Sequence, residues 1–342
     1  MTTMKPPKAV FPVTEFISDL PTHLTPQSPF SSSENDRSRR LVIVGDVHGM
    51  RKSLEALLDR VSFDKDNGDH LILVGDITNK GPDSSGVVDL AIRLGASAVR
   101  GNHDNAVLDA AAELALKDGD YQSKGLTSRL VAPDDPQGDS PQETGTAGNS
   151  EKTESAENSN IIRHSATTYA TALQLSTSQI EWLAALPLIL RIQLPRDIPS
   201  SLGTNLVVAH AGLVPGVPLS EQDPSAVLHM RSLVSKPRGE DGFMPVEAFG
   251  DESWAVEWDR WQDRLDNRTT VVFGHDAKRR LQIGGYTIGL DTACVYGNKL
   301  SALVISVIDA KIEHQIVQVD CADTPVAPTA SAKDDNITDP HE

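Results

Sequence analysis

Short apolar runs alternate with amphipathic stretches through the first third of the chain. Residues 41–45 (LVIVG) are β-branched or apolar without interruption, the pattern of a strand buried on both faces. Leu54, Leu57, Leu58 and Val61 then fall at helical spacing on one face. A second continuous run, HLILVGD, covers 70–76. VVDLAIRLG at 87–95 predicts a second helix stopped by Gly95, and SAVRGNHD at 97–104 carries a third strand. Strand–helix–strand–helix–strand is the rhythm of parallel strands joined by crossover helices, which makes the fold class α/β.

The rhythm breaks over 118–160, an acidic stretch nearly free of large apolar residues, and the expectation there is a disordered low-complexity insertion. It reads as a tolerated surface loop or as a segment for a regulatory partner. Helical patterning returns at 165–186, and LILRIQL (188–194), LVVAH (206–210), TVVFGH (270–275) and SALVISVI (301–308) read as further strands. Residues 1–38 are rich in Pro, Ser and Thr and are expected to be a disordered leader. Residues 39–322 are expected to form one domain around the insertion, followed by a disordered acidic tail at 323–342.

Composition narrows the classes. The net charge of −17 argues against a protein that coats nucleic acid or lies on an anionic membrane. Two cysteines, Cys294 and Cys321, supply no disulfide framework and point to a reducing compartment. No signal-like or spanning apolar run occurs, so the expected location is the cytoplasm.

Chemistry is concentrated in five short segments: GDVHG (45–49), GDITNKG (75–81), GNHD (101–104), AHAG (209–212) and FGH (273–275). Each sets an Asp, His or Asn just past an apolar run, where open α/β sheets gather their reactive groups. Asp46 and His48 stand two apart, so one turn can aim both at one ion. Asp76 ends the next strand and can bridge two ions; Asn102, His210 and His275 end later ones. Hard oxygen and imidazole donors of this kind suit a dinuclear hydrolytic centre. Singly, each motif is equally a turn or a core histidine; the ordered set is not.

The order and wording of these segments resemble the calcineurin-like metallophosphoesterases of the phosphoprotein-phosphatase superfamily, over roughly residues 41–117 and 161–315. The resemblance implies a four-layer αββα sandwich, two sheets flanked by helices. It implies Asp46, His48 and Asp76 around one metal and Asp76, Asn102, His210 and His275 around a second. The ions would be divalent, Zn²⁺, Mn²⁺, Co²⁺ or an Fe/Zn pair. It further implies His103 as general acid and Arg231 as a phosphate clamp. A vacuolar location is the alternative that the resemblance brings.

Departures from the protein-phosphatase pattern point to a branch. The usual G-D-x-V-D-R-G is here GDITNKG, so Asn79 stands where an Asp would orient the catalytic His and Lys80 where an Arg would grip phosphate. A weaker acid matters less when the leaving group is itself a phosphate, whose second pKa is roughly 6. With KGPDS (80–84), GHDA (274–277) and GLDTACVYG (289–297), the wording resembles the diadenosine-tetraphosphatase branch, zinc-dependent endopolyphosphatases included. The expected activity is phosphoanhydride hydrolysis on inorganic polyphosphate or a dinucleoside polyphosphate, with a Ser/Thr protein phosphatase as the alternative. Lys80, Asn102, Arg231 and Arg51 are the expected substrate contacts. Trp254, Trp258 and Trp261 share a helix face that is either packed core or a base-stacking surface. Lys278, Arg279 and Arg280 are either a phosphate track or a solvated turn. Cys294 is expected to be inert packing.

Overall fold

A computed structural model describes residues 10–27, 39–117, 163–237, 241–250 and 252–327. The chain runs through β1 (Ile17–Asp19) and then the parallel βαβαβ run of β2 (Leu41–Val44), α1 (Arg51–Arg60), β3 (His70–Leu73), α2 (Ser84–Leu94) and β4 (Ser97–Ala98), followed by α3 (Asn102–Lys117). Gly95 ends α2 in the left-handed conformation that its lack of Cβ allows. After the expected insertion, which lies outside the described residues, come α4 (Ala166–Gln174) and α5 (Thr177–Ala184). Ser176 and Gln179 close a capping box on α5. The chain continues through β5 (Ile189–Gln193), β6 (Asn205–Ala209), α6 (Pro224–His229), β7 (Ser232–Ser235), β8 (Phe243–Val246) and α7 (Trp254–Gln262). It ends in β9 (Thr269–Phe273), β10 (Gln282–Ile283), β11 (Thr287–Gly289), β12 (Lys299–Ile308) and β13 (Lys311–Asp320).

The strands form two main sheets. One has the order β13-β12-β2-β3-β4, the other β1-β5-β6-β9-β11-β10, and β7-β8 is a separate hairpin. Leu41, Ile43, Ile72 and Val74 of the first sheet pack on Val208, Val272 and Ile288 of the second, a buried layer between sheets. The alternate side chains Val42, Val44, Leu71 and Leu73 face the helical layer of α1 to α5. Val207, Val271 and Phe273 face α6 and α7 on the far side. The result is the α/β/β/α sandwich that the resemblance implied. Among the described residues no helix is long and apolar enough to cross a membrane.

The two ends of the chain need correction. Residues 10–27, expected within a disordered leader, are packed. β1 pairs in parallel with β5, and Phe11 is in the core. The buried Arg100 guanidinium donates to the Phe11 and Pro12 carbonyls at 3.0 and 3.3 Å. Residues 323–327, expected within a disordered tail, hold α1: the Asp323 carboxylate accepts from Ser53 N at 2.8 Å, Ser53 Oγ at 2.7 Å and Lys52 N at 3.3 Å. In both places scattered apolar residues such as Phe11, Leu20 and Val326 and a few polar contacts do the anchoring, a pattern without periodicity.

In-register pairing sets the site. Val44 lies opposite Leu73, and Val208 opposite Val272, so the turns that follow each pair lie side by side. They are bonded together: His48 N donates to Asp76 O at 2.7 Å, and Gly274 N to His210 O at 2.9 Å.

Candidate metal centre

Three of the proposed ligands, His48, Asp76 and His275, have positive φ of 47°, 49° and 66°. Non-glycine residues rarely hold that conformation, and it turns each side chain sharply off its strand end. Room for this comes from close backbone approach. A Cβ on Gly274 would stand 1.9 Å from Asp46 Oδ1, and one on Gly101 2.2 Å from Asp76 Oδ1. Glycine is required at both.

The histidines are held alike. His48 Nδ1 lies 3.2 Å from the Thr78 carbonyl, His210 Nδ1 3.0 Å from that of Val74 and His275 Nε2 3.2 Å from that of His229. A carbonyl only accepts, so each of these nitrogens carries the proton and donates. The other nitrogen of each ring is then a lone pair, and these converge. His48 Nε2 is 3.4 Å from Asp76 Oδ2, and His210 Nε2 is 3.4 Å from Asp76 Oδ1. His210 Nε2 and His275 Nδ1 lie 2.9 and 3.0 Å from Asn102 Oδ1. Lone pair faces lone pair, an arrangement that a cation stabilises and a proton network does not. Imidazoles fixed through one nitrogen by a carbonyl are also the usual support of metal-ligating histidines.

Electrostatics agree with that reading. Burial pushes the Asp76 carboxyl up to about 6 and that of Asp291 likewise to about 6. Asp46 is held well above the usual carboxylate range by burial, then by the charges of Asp291 and Asp76. Burial lowers His210 to about 4 and keeps His48, His103 and His275 well below the ordinary imidazole value. Neutral imidazoles and under-compensated buried carboxylates are a donor set waiting for positive charge.

Around this centre His103 N donates to Asp76 Oδ1 at 2.9 Å, and the His103 ring stands edge-on to His48 with centroids 5.0 Å apart. Lys80 Nζ is 3.2 Å from His48 Nε2. Arg231 donates from Nη1 to Glu247 O at 3.3 Å and is close enough for its charge to act on Asp76, His210 and His275. Arg51 instead pairs with Glu55 at 3.0 Å and Asp83 at 3.4 Å. Six expected ligands, with His103, Lys80 and Arg231, thus share one locality, whereas Arg51 is engaged elsewhere.

Two contributors were not singled out from the sequence. Asp291, in the GLDTACVYG segment, is buried beside Asp46. The other is Asp104, whose carboxylate accepts from Gly101 N at 3.0 Å, Thr78 N at 2.9 Å and Thr78 Oγ1 at 2.8 Å, tying the GNHD and GDITNKG turns together. The Asp of GNHD was the available signal. Trp254 and Trp258 are core residues of α7, 1% and 5% exposed, and burial pushes the Cys294 thiol up, so it is not a nucleophile.

Comparison with known proteins matches this geometry to a family. Residues 39–305 match the model of the calcineurin-like phosphoesterases. The zinc-dependent endopolyphosphatase of Saccharomyces cerevisiae is 27% identical over 84% of this chain and 82% of its own. The asymmetrical bis(5'-nucleosyl)-tetraphosphatase PrpE of Oceanobacillus iheyensis is 26% identical over 77% of this chain and 87% of its own. Serine/threonine-protein phosphatase 1 of Salmonella typhimurium is 37% identical, but over only 26% of this chain and 41% of its own. A crystal structure provisionally described as a diadenosine tetraphosphatase superposes with a TM-score of 0.56 at 32% identity, covering 90% of this chain and 98% of that one. The chain belongs to the calcineurin-like phosphoesterase family of metal-dependent hydrolases.

Proposed function

We propose that this chain cleaves phosphoanhydride bonds of inorganic polyphosphate or of a dinucleoside polyphosphate, at a centre built for two divalent ions. Asp46, His48 and Asp76 would hold one ion and Asp76, Asn102, His210 and His275 the other, with Asp76 between them. Bound there, the ions supply Lewis-acid polarisation of a phosphoryl oxygen and lower the pKa of an attacking water.

The chain's own residues supply the rest. Arg231 and Lys80 bring positive charge to either side of the centre, where a transferring phosphoryl group carries its negative charge. His103 lies beside Asp76 and is positioned to hold the leaving oxygen. Supporting the anhydride reading is the partner of that histidine. Asn79 Oδ1 accepts from Lys80 N at 2.8 Å, which fixes the amide so that its Nδ2 faces His103 Nδ1 at 3.1 Å and donates to Thr168 Oγ1 at 3.0 Å. An amide donating to Nδ1 leaves the proton on Nε2 of a neutral ring. It gives no carboxylate to stabilise an imidazolium, so His103 is a modest acid. Phosphate is a leaving group that tolerates this; a serine alkoxide is not.

The test is turnover of full-length protein supplied with Zn²⁺, Mn²⁺ or Co²⁺ on long-chain polyphosphate, diadenosine tetraphosphate and a phosphoserine peptide. The expected result is a higher kcat/KM on one or both anhydrides. Preference for the peptide overturns the reading and favours protein dephosphorylation.

A further inference from the structure

Three cations gather on one aromatic ring next to the metal centre. Arg231 Cζ lies 5.2 Å from the Phe249 ring centroid, Arg279 Cζ 5.0 Å and Lys278 Nζ 4.7 Å. The cluster is continuous with the centre. Lys278 and Arg279 follow the proposed ligand His275 by three and four residues, and His275 itself bonds the carbonyl of His229, two residues before Arg231. Arg279 reaches across to the Arg231 and Gly250 carbonyls at 3.5 and 3.2 Å, locking the two segments together.

Its charge is poorly balanced. Among the described residues, Arg279 alone of the three has a carboxylate within ion-pair distance, Asp276 at 2.7 Å. Arg231 Nε is shielded from solvent and has no hydrogen-bond partner. Like charges so close are costly unless an anion joins them. On a chain of net charge −17 a concentrated cationic patch is a local exception, and salt screening over about 8–10 Å lets that local charge dominate.

Resting on the anhydride reading, we propose that Arg231, Lys278 and Arg279 on Phe249 form a subsite for the phosphates beyond the bond being cleaved, and that the substrate is therefore a linear polyphosphate. Each further phosphate brings a negative charge and acceptor oxygens, which suit a run of guanidinium and ammonium donors. A nucleoside end suits the patch poorly. Cations already stand over the Phe249 ring, so a base could stack there only by displacing one. The tryptophans give no substitute, since Trp254 and Trp258 are core and the Trp261 ring lies against Gly216.

Lys278 is exposed and makes no ion pair among the described residues, so Lys278→Glu reverses one charge of the subsite without opening the core. Binding is measured by fluorescence anisotropy of an end-labelled long polyphosphate on full-length Mn²⁺-loaded protein. The protein carries His103→Asn to slow turnover, with and without Lys278→Glu; tripolyphosphate and diadenosine tetraphosphate serve as competitors, and thermal melting confirms folding. The expected result is a Kd for the long chain weakened about tenfold, with the two short competitors weakened less than threefold. Unchanged long-chain binding, no long-chain binding by the parent, equal weakening of long and short chains, or equal weakening of the dinucleotide overturns the proposal. Failure of the anhydride reading itself shows separately, as absent anhydride turnover beside length-dependent binding.

Discussion

The Asn79 amide nitrogen stands 3.1 Å from Nδ1 of His103, with the other end of the amide pinned by the backbone N–H of Lys80. Asn79 holds this place at φ 74°, a conformation that Asn and Asp tolerate better than most residues. On the proposed anhydride reading, the pair would convert a one-atom difference in a side chain into a difference in leaving-group preference.

Asn79→Asp should therefore favour esters. The carboxylate would keep the Lys80 N–H and accept the His103 Nδ1 proton, making a better general acid. The ratio of kcat/KM on a phosphoserine peptide to kcat/KM on polyphosphate should rise roughly tenfold or more. A ratio that does not move would separate leaving-group preference from this contact.

Asp76→Asn and His275→Ala should each lower metal-dependent turnover at least about a thousandfold. Both should also lower the bound metal measured by elemental analysis. Full activity with either change would remove that residue from the proposed ligand set.

Acid sensitivity has a contributor far from the centre. Burial lowers His70 from its ordinary 6.5 to about 4, and its Nε2 is within 2.9 Å of Ser97 Oγ. The folded pKa lies below the unfolded one, so the unfolded chain binds the extra proton between those values. Stability linked to His70 is thus complete above about pH 6.5 and falls as pH drops toward 4, by up to about 3 kcal/mol. His70→Asn should flatten the fall of urea-unfolding stability across that window. An identical slope in wild type and variant would contradict the assignment.

Asp323→Ala should destabilise the protein by about 1–2 kcal/mol, since it leaves the Lys52 and Ser53 N–H groups at the start of α1 without their acceptor. Urea denaturation reads this directly. No change would mean that the segment around 323 contributes nothing to the fold.

Much of this arrangement was legible in the sequence, and the pattern of what was not is physical. β2, β3, β6, β9 and most of β12 are buried on both faces, so they appear as largely apolar runs. β13 (KIEHQIVQVD) turns one face to solvent and reads as polar, β4 has two residues, and the hairpin β7–β8 contains Pro245 and Met244 beside charged neighbours. The proposed ligands were readable because each lies one to four residues past a strand end. Asp291 was not, because its relationship to Asp46 exists only once β12 and β11 carry it back across the sandwich. Residues 10–27 are held by a three-residue pairing with β5, by scattered apolar contacts and by Arg100, none of which a local pattern reveals.

The proposed ligands come from both sheets: Asp46, His48, Asp76 and Asn102 follow strands of one, His210 and His275 strands of the other. His275 N donates to both oxygens of Asp46 at 3.1 Å, a direct strap between the two. The centre is therefore a gauge of sheet alignment. A truncation in the middle layer, such as Ile43→Ala or Val272→Ala, removes no ligand and lets one sheet settle against the other by a fraction of an ångström. Coordination tolerates that poorly, whereas the fold absorbs it, so damage deep in the sandwich would surface first as lost metal affinity in an otherwise folded protein. Residues with no part in the chemistry thereby set how well it is held.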